Sequence, residues 1–206
     1  MKPPSTTRVI GIIGPPCSGK STIAKYLQSL GGVWLDADKI AKQQLDAPEV
    51  IAELVDVFGQ SILGPDGSSP SRQRIADLVF GDDDESHARL KQLESIIHPR
   101  TRAVIHTALV QSKADNDPFV ILDVPLLLES HWETECDEVW CVSVSLHRHA
   151  ILLAVRGWDA EELARRQSRQ LPWDEKRRRS DWVIENNGTP EELQLKVRAR
   201  LDQTTL

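Results

Sequence analysis

A chain of 206 residues with 40% hydrophobic and 27% charged side chains has the makeup of one folded domain, or one domain carrying an insertion. That composition excludes disordered, collagenous and disulfide-knot classes. A formal charge of −6, from 25 basic against 31 acidic residues, speaks against a broad nucleic-acid-binding face. The apolar run around 126–128 is far short of the roughly 20 residues that cross a bilayer. The polar, Pro-rich start at 1–7 carries no recognisable secretory signal. Cys17, Cys136 and Cys141 are too few and too irregularly spaced for a disulfide framework or a zinc site. The expectation is a cytoplasmic protein with a small-molecule substrate and no nucleic-acid or membrane partner, a monomer or at most a weak homo-oligomer.

In chain order, the β-branched run 8–13 predicts a buried strand that ends at Gly14-Pro15-Pro16. A helix is expected from Ser18 to Leu30, stopped by Gly31-Gly32, then a short strand at 33–35. Helices follow at 37–45 and 48–58, the second with Pro48 in its first turn, and a loop runs over 59–71. Three helical segments are predicted at 72–80, 85–97 and 99–114, the last two separated at Pro99. Strands are expected at 119–123, 138–144 and 182–184. Asp159 with Glu162 and Thr189-Pro190-Glu191-Glu192 have the spacing of helix starts. Buried strands alternating with helices predict an α/β fold, a parallel five-stranded sheet with helices on both faces. The long helical interval at about 37–118 reads as an insertion.

Gly14-Pro15-Pro16-Cys17-Ser18-Gly19-Lys20-Ser21 matches G-x-x-x-x-G-K-[ST] between a strand and a helix. Such a loop curls so that successive N–H groups converge on a phosphate, and the following helix adds its positive end. Lys20 would reach the β- and γ-phosphates of ATP, and the Ser21 hydroxyl would ligate Mg²⁺. The phosphate-facing amides are expected mainly from Cys17 to Thr22. Pro15 and Pro16, which lack an N–H, would stiffen the entry. No N-K-x-D guanine signature is present, so a kinase or ATPase fits better than a GTP switch.

Asp36 and Asp38 stand at the carboxyl end of the second strand, where ligands bind in open α/β sheets. Two carboxylates at this spacing also suit helix capping. Asp123 closes the third strand and has the position of an acidic partner to a phosphate loop. Residues 148–179 hold nine basic and five acidic side chains, net +4, leaving sixteen basic and twenty-six acidic elsewhere. This stretch is either a solvated helical face or a local anion site.

The phosphate loop, Asp-Ala-Asp-Lys-Ile-Ala at 36–41, Leu-Glu-Ser-Ile-Ile-His-Pro at 93–99, Asp123-Val124-Pro125-Leu126-Leu127 with Glu129, Gln170-Leu171-Pro172 with Lys176, and Asp-Trp-Val-Ile-Glu-Asn-Asn-Gly at 181–188 occur in that order. Together they resemble the dephospho-CoA kinase family over about residues 8–200. The resemblance implies transfer of the ATP γ-phosphoryl group to the ribose 3′-hydroxyl of dephospho-CoA, with Mg²⁺. It implies a P-loop kinase core at about 8–36, 119–147 and 180–206, a helical CoA-substrate domain at about 37–118, and a lid at about 148–179. Arg156 and Arg166 match the lid arginines. Asn186 and Gly188 match the segment lining adenine. His98, Asp38, Asp123 and Leu126 fall on the acceptor side, although His98 ahead of a proline also suits helix-end packing. Asp38 is the first choice to orient or deprotonate the 3′-hydroxyl, with Asp36 on the metal side and Asp123 supporting metal or substrate, roles that can be permuted. The chain departs from the family pattern at Ile13, where Thr is usual, and at Leu152, where a further Arg is common.

Overall fold

The computed structural model describes residues 7–81 and 83–203. Five strands, β1 (Arg8–Ile13), β2 (Val33–Asp36), β3 (Phe119–Asp123), β4 (Glu138–Ser143) and β5 (Trp182–Glu185), form one sheet. Their order is β2-β3-β1-β4-β5 and every pairing is parallel. Among the described residues no helix is long and apolar enough to cross a membrane.

The chain folds into two units, Met1–Asp36 with Leu109–Leu206, and Ala37–Ala108. In the first, β1 and β3 are buried on both faces, which explains their unbroken apolar sequences. Alternate residues Ile10, Ile12, Phe119, Ile121, Trp140 and Val142 share one cluster with Ile23, Ala24 and Leu27 of helix α1 (Lys20–Ser29). Leu193, Val197 and Leu201 of the C-terminal helix (Pro190–Gln203) join the same cluster. Trp182 sits edge-on to Trp140 with centroids 5.2 Å apart. Two aspartates set the strand register by paired bonds: Asp137 N donates to Val9 O while Asp137 Oδ2 accepts from Val9 N. Asp181 does the same with Val139. The C-terminal helix starts with the expected capping box, Glu192 N donating to Thr189 Oγ1 and Thr189 N to Glu192 Oε2.

The second unit holds α2 (Ala37–Gln44), α3 (Pro48–Phe58), α4 (Arg72–Val79) and most of α5 (Asp84–Asp115). Val50, Leu54, Ile62, Ile75, Ile96 and Ile97 form its core. The expected break at Pro99 is absent, and α5 runs through it as one helix. Pro99 removes one N–H from the ladder, but Arg100 Nη1 donates to Ile96 O at 2.7 Å and Thr101 Oγ1 to Ile97 O at 2.9 Å. These side-chain donors are local, i to i−4, and add bonds to the turn that the proline weakens, so the breaker is offset within the helix itself.

Three further helices precede β5: α6 (Leu146–Arg156), α7 (Ala160–Gln167) and α8 (Trp173–Arg178), and the C-terminal helix is α9. Ser145 caps α6 by accepting from Arg148 N, and Asp159 caps α7 by accepting from Glu162 N at 2.8 Å.

Candidate active site

The phosphate loop lies between β1 and α1, at the carboxyl edge of the sheet. The turn places Cys17 at φ 59°, a left-handed conformation uncommon for a residue with a Cβ. Gly19 has φ 101°, and a Cβ there would collide with Asn186 Nδ2, so only glycine serves at this corner. Ser18 is fully buried, its amide donates to Pro15 O, and its hydroxyl has no hydrogen-bond partner among the described residues. Lys20 Nζ folds back over the loop and donates to Gly14 O and Pro15 O, both at 2.9 Å. Ser21 and Thr22 are exposed in the first turn of α1. The loop thus offers a lysine, a helix start and an orphaned buried hydroxyl in one short segment, the parts of an anion cradle.

The other elements of the first unit hold this loop in place. Asn186, at the end of β5, is buried; its Nδ2 donates to Ser18 O and its N to Ser143 O, each at 2.8 Å. Its neighbour Asn187 accepts from Ser145 N at 2.7 Å, which anchors the start of α6. At Gly188 a Cβ would meet Glu192 Oε2, which reaches back for the capping box, so a side chain there would displace that cap. His149 Nε2, on α6, lies 2.7 Å from Pro16 O. Sequence reading did not single out Asn187, Ser145 or His149, because their partners are remote in the chain.

Asp36 and Asp123 are register partners on the adjacent strands β2 and β3, both at the carboxyl ends. Their backbones are therefore about 4.8 Å apart across the strand pair, and β3 is the neighbour of β1. Asp123 is buried and Asp36 half-buried. Leu126 follows in the turn after β3, its carbonyl accepting from Ser130 N at 2.9 Å. Asp38 and His98 belong to the second unit, Asp38 in the first turn of α2 and His98 exposed within α5. Among the described residues no cluster of three or more His, Cys, Asp or Glu side chains forms a cation cage. A divalent ion that keeps most of its shell as water and phosphate oxygen needs only one or two protein groups, and Ser21 with a strand-end carboxylate fits that requirement.

Arg156 closes α6 and Arg166 lies near the end of α7, and both guanidinium groups stack on Trp158, 4.9 and 4.3 Å from the ring centroid. Trp158 is held in place from both sides. Gly157, at φ 70°, and Trp158 donate to Ala154 O and Leu153 O in a C-terminal cap, and Asp159 begins the next helix. Arg166 Nε also donates to Glu162 Oε1 at 2.6 Å. Burial pushes the Cys17 thiol up, against the opposing pull of Arg156, Lys20 and Arg166. The arginine pair thus projects positive charge onto the phosphate loop. The G-W-D corner was visible in the sequence as Gly157 and Asp159; the shared indole was not.

Beside Pro15, a cleft of about 370 Å³ is lined by Gln167, Gln170, Leu171, Trp173 and Lys176. Of these lining residues, Lys176 is ion-paired, its Nζ 3.0 Å from Glu129 Oε1, which also accepts from Leu171 N at 2.6 Å. Lys176 Nζ also donates to Gln170 Oε1 at 3.3 Å, so Glu129, Gln170 and Lys176 meet at one place.

The family profile for dephospho-CoA kinase matches residues 8–192. The chain is 58% identical to a dephospho-CoA kinase of Rhodopirellula baltica over 97% of its own length and 92% of that protein. It is 39% identical to one of Symbiobacterium thermophilum, covering 93% and 79% of the two chains. A crystal structure of TT1252 from Thermus thermophilus superposes with a TM-score of 0.77 at 34% identity, covering 96% of this chain and 98% of that one. A phosphate loop on a five-stranded parallel sheet, a family profile over almost the whole chain and relatives of matching length agree: the chain belongs to the dephospho-CoA kinase family, ATP-dependent phosphotransferases of coenzyme A biosynthesis.

Proposed function

We propose that the residues of this chain divide the work of the kinase into anchoring and charge neutralisation, carried by the first unit, and acceptor activation, carried by Asp38 of the second. The phosphate loop from Gly14 to Thr22 binds the ATP phosphates through its amides. Lys20 exchanges its two loop carbonyls for phosphate oxygens, and the Ser18 hydroxyl gains a partner. Phosphoryl transfer asks for in-line placement and neutralisation of charge rather than covalent help. Arg156 and Arg166 supply that neutralisation from the lid at about 148–179, and the Trp158 ring keeps both guanidinium groups at one place. The segment at Asn186 and Gly188 lines the adenine with backbone, since the Asn186 side chain is committed to Ser18.

On the acceptor side, Asp38 takes the proton of the 3′-hydroxyl of dephospho-CoA, within a substrate domain at about 37–118 that also presents His98. Asp123, at the end of β3, and Leu126, in the turn after it, are the acceptor-side residues of the first unit. Ser21 and Asp36 hold Mg²⁺, whose charge offsets that of the β- and γ-phosphates when it is bound. Three free cysteines among the described residues suit a reducing cytoplasm. The observation that carries the reading is the register of Asp36 with Asp123 at the carboxyl edge, one strand from the phosphate loop. The test is ADP release with Mg-ATP in the presence and absence of dephospho-CoA. Turnover that requires dephospho-CoA is expected; equal turnover without it, or turnover of a nucleoside monophosphate in its place, refutes the proposal.

A further inference from the structure

The contact between His149 and Pro16 joins α6 to the phosphate loop across 133 positions of sequence. A carbonyl oxygen only accepts, so the imidazole carries its hydrogen on Nε2 and donates to Pro16 O over 2.7 Å. His149 itself is fixed, since its N donates to Ser145 O at 2.8 Å in the first turn of α6 and Ser145 N is tied to Asn187.

The consequence lies on the other side of the same peptide unit. No cis bond occurs among the described residues, and in a trans peptide the C=O and the following N–H point in opposite directions. Holding Pro16 O toward α6 turns the Cys17 N–H away from α6. That amide has unusual weight here. Pro15 and Pro16 have no N–H, and the Ser18 amide is already used by Pro15 O. The Cys17 N–H is therefore the first donor after Gly14 that the loop can offer a ligand. Its residue sits at φ 59°, a left-handed conformation that is unfavourable for a side-chain-bearing residue and persists only where the surroundings hold it.

We propose that His149 is a positioning residue of the phosphate loop, its Nε2–H fixing the Pro16–Cys17 peptide so that the Cys17 amide is directed at the nucleotide phosphates. The inference rests on the reading of 14–22 as the ATP-phosphate site. It gives α6 a second task beside presenting Arg156: the helix that bears a phosphate-binding arginine also sets an amide of the loop below.

Isothermal titration of ADP into the full chain, as parent, His149→Leu and His149→Gln, tests the idea. Leu keeps bulk without a donor, whereas Gln keeps an N–H of similar reach. Loss of one neutral hydrogen bond predicts ADP binding weaker by about three- to tenfold in His149→Leu, with His149→Gln restored to within about twofold of the parent. In the ¹⁵N-labelled parent, the Cys17 amide resonance should move on ADP addition, and in His149→Leu its ligand-free position should already differ. A purely structural role in α6 would lower stability without aromatic-to-amide rescue and leave the Cys17 shift on ADP unchanged. The proposal is overturned by His149→Leu binding ADP like the parent, by His149→Gln falling as far as His149→Leu, or by a Cys17 amide indifferent to ADP in the parent. If the parent itself binds no ADP or ATP, it is the phosphate-site reading that fails.

Discussion

Replacing Lys176 by Met isolates the cost of breaking a buried ion pair. The Lys176 side chain is 1% exposed and that of Glu129 16% exposed, with Nζ 3.0 Å from Oε1. Without the lysine, Glu129 keeps the Leu171 N–H but loses its compensating charge while still buried. Breaking such a pair costs about 3–5 kcal/mol, and the residual exposure of Glu129 favours the lower end, about 3 kcal/mol. In a chain of this size that corresponds to a fall in Tm of about 6–12 °C. The pH dependence has a definite sign. Burial alone would raise the Glu129 carboxyl, but Leu171 N–H and Lys176 outweigh it and hold it below the usual carboxylate range. A depressed folded value stabilises above the unfolded carboxyl pKa and is lost as pH falls through the folded one. The gap between parent and Lys176→Met should therefore be widest near neutrality and narrow in acid, where the variant's Glu129 protonates. Urea unfolding of parent, Lys176→Met, Glu129→Gln and the double variant, at neutral and acid pH, measures this. Glu129→Gln still accepts from Leu171 N–H, so the double variant should recover most of the loss. A single variant that loses under about 1 kcal/mol, as an exposed pair does, or a double variant no better than the single, refutes the reasoning.

Lys20→Ala should abolish turnover and leave the melting curve in place, because Lys20 bonds to loop carbonyls at the start of a helix and packs no core. Asp38→Asn should lower kcat by about 10²–10⁴-fold, far more than it raises KM for ATP; a much larger loss in Asp36→Asn would exchange the two roles. Arg166→Lys should lower kcat despite keeping the charge, since ammonium provides neither the planar stack on Trp158 nor a bidentate phosphate contact, and Trp158→Leu should lower it too while Trp158→Phe recovers part. Hydrogen exchange over 148–179 should slow when an ATP analogue binds; equal protection in both states would return the stretch to a solvated helical face.

Much of the fold was legible because its signals are local. Runs such as 119–123 are buried on both faces and so read as unbroken apolar strands, and the capping pairs at Asp159 and Thr189 form the bonds their spacing predicts. Pro99 misled for a definite reason. A proline weighs on the helix by one lost bond and a clash, and Arg100 with Thr101 supplies donors to the same turn. Nothing in the sequence marks those side chains as helix repair rather than as groups facing water. The aspartates that open β4 and β5 were equally unremarkable, since Asp137 and Asp181 matter through Val9 and Val139 on neighbouring strands.

The candidate site divides along the same line. The phosphate loop is one contiguous segment whose chemistry is carried by glycines, a lysine and a helix start, so its sequence states its geometry. What holds the loop comes from elsewhere: Asn186 braces Ser18 from 168 positions away, and His149 reaches Pro16 from 133. Such contacts leave no periodic trace, because one polar side chain at the right strand or helix end is enough. The arginines lie between these cases. Their abundance over 148–179 was plain, and Gly157 and Asp159 marked a corner between two helices. Yet charge counting treats Arg156 and Arg166 as mutually repelling, and it takes the indole of Trp158, set by that corner, to bring both to one ring. The aromatic face lowers the cost of holding two cations together before any phosphate arrives. An acidic chain can thereby hold two guanidinium groups together between α6 and α7.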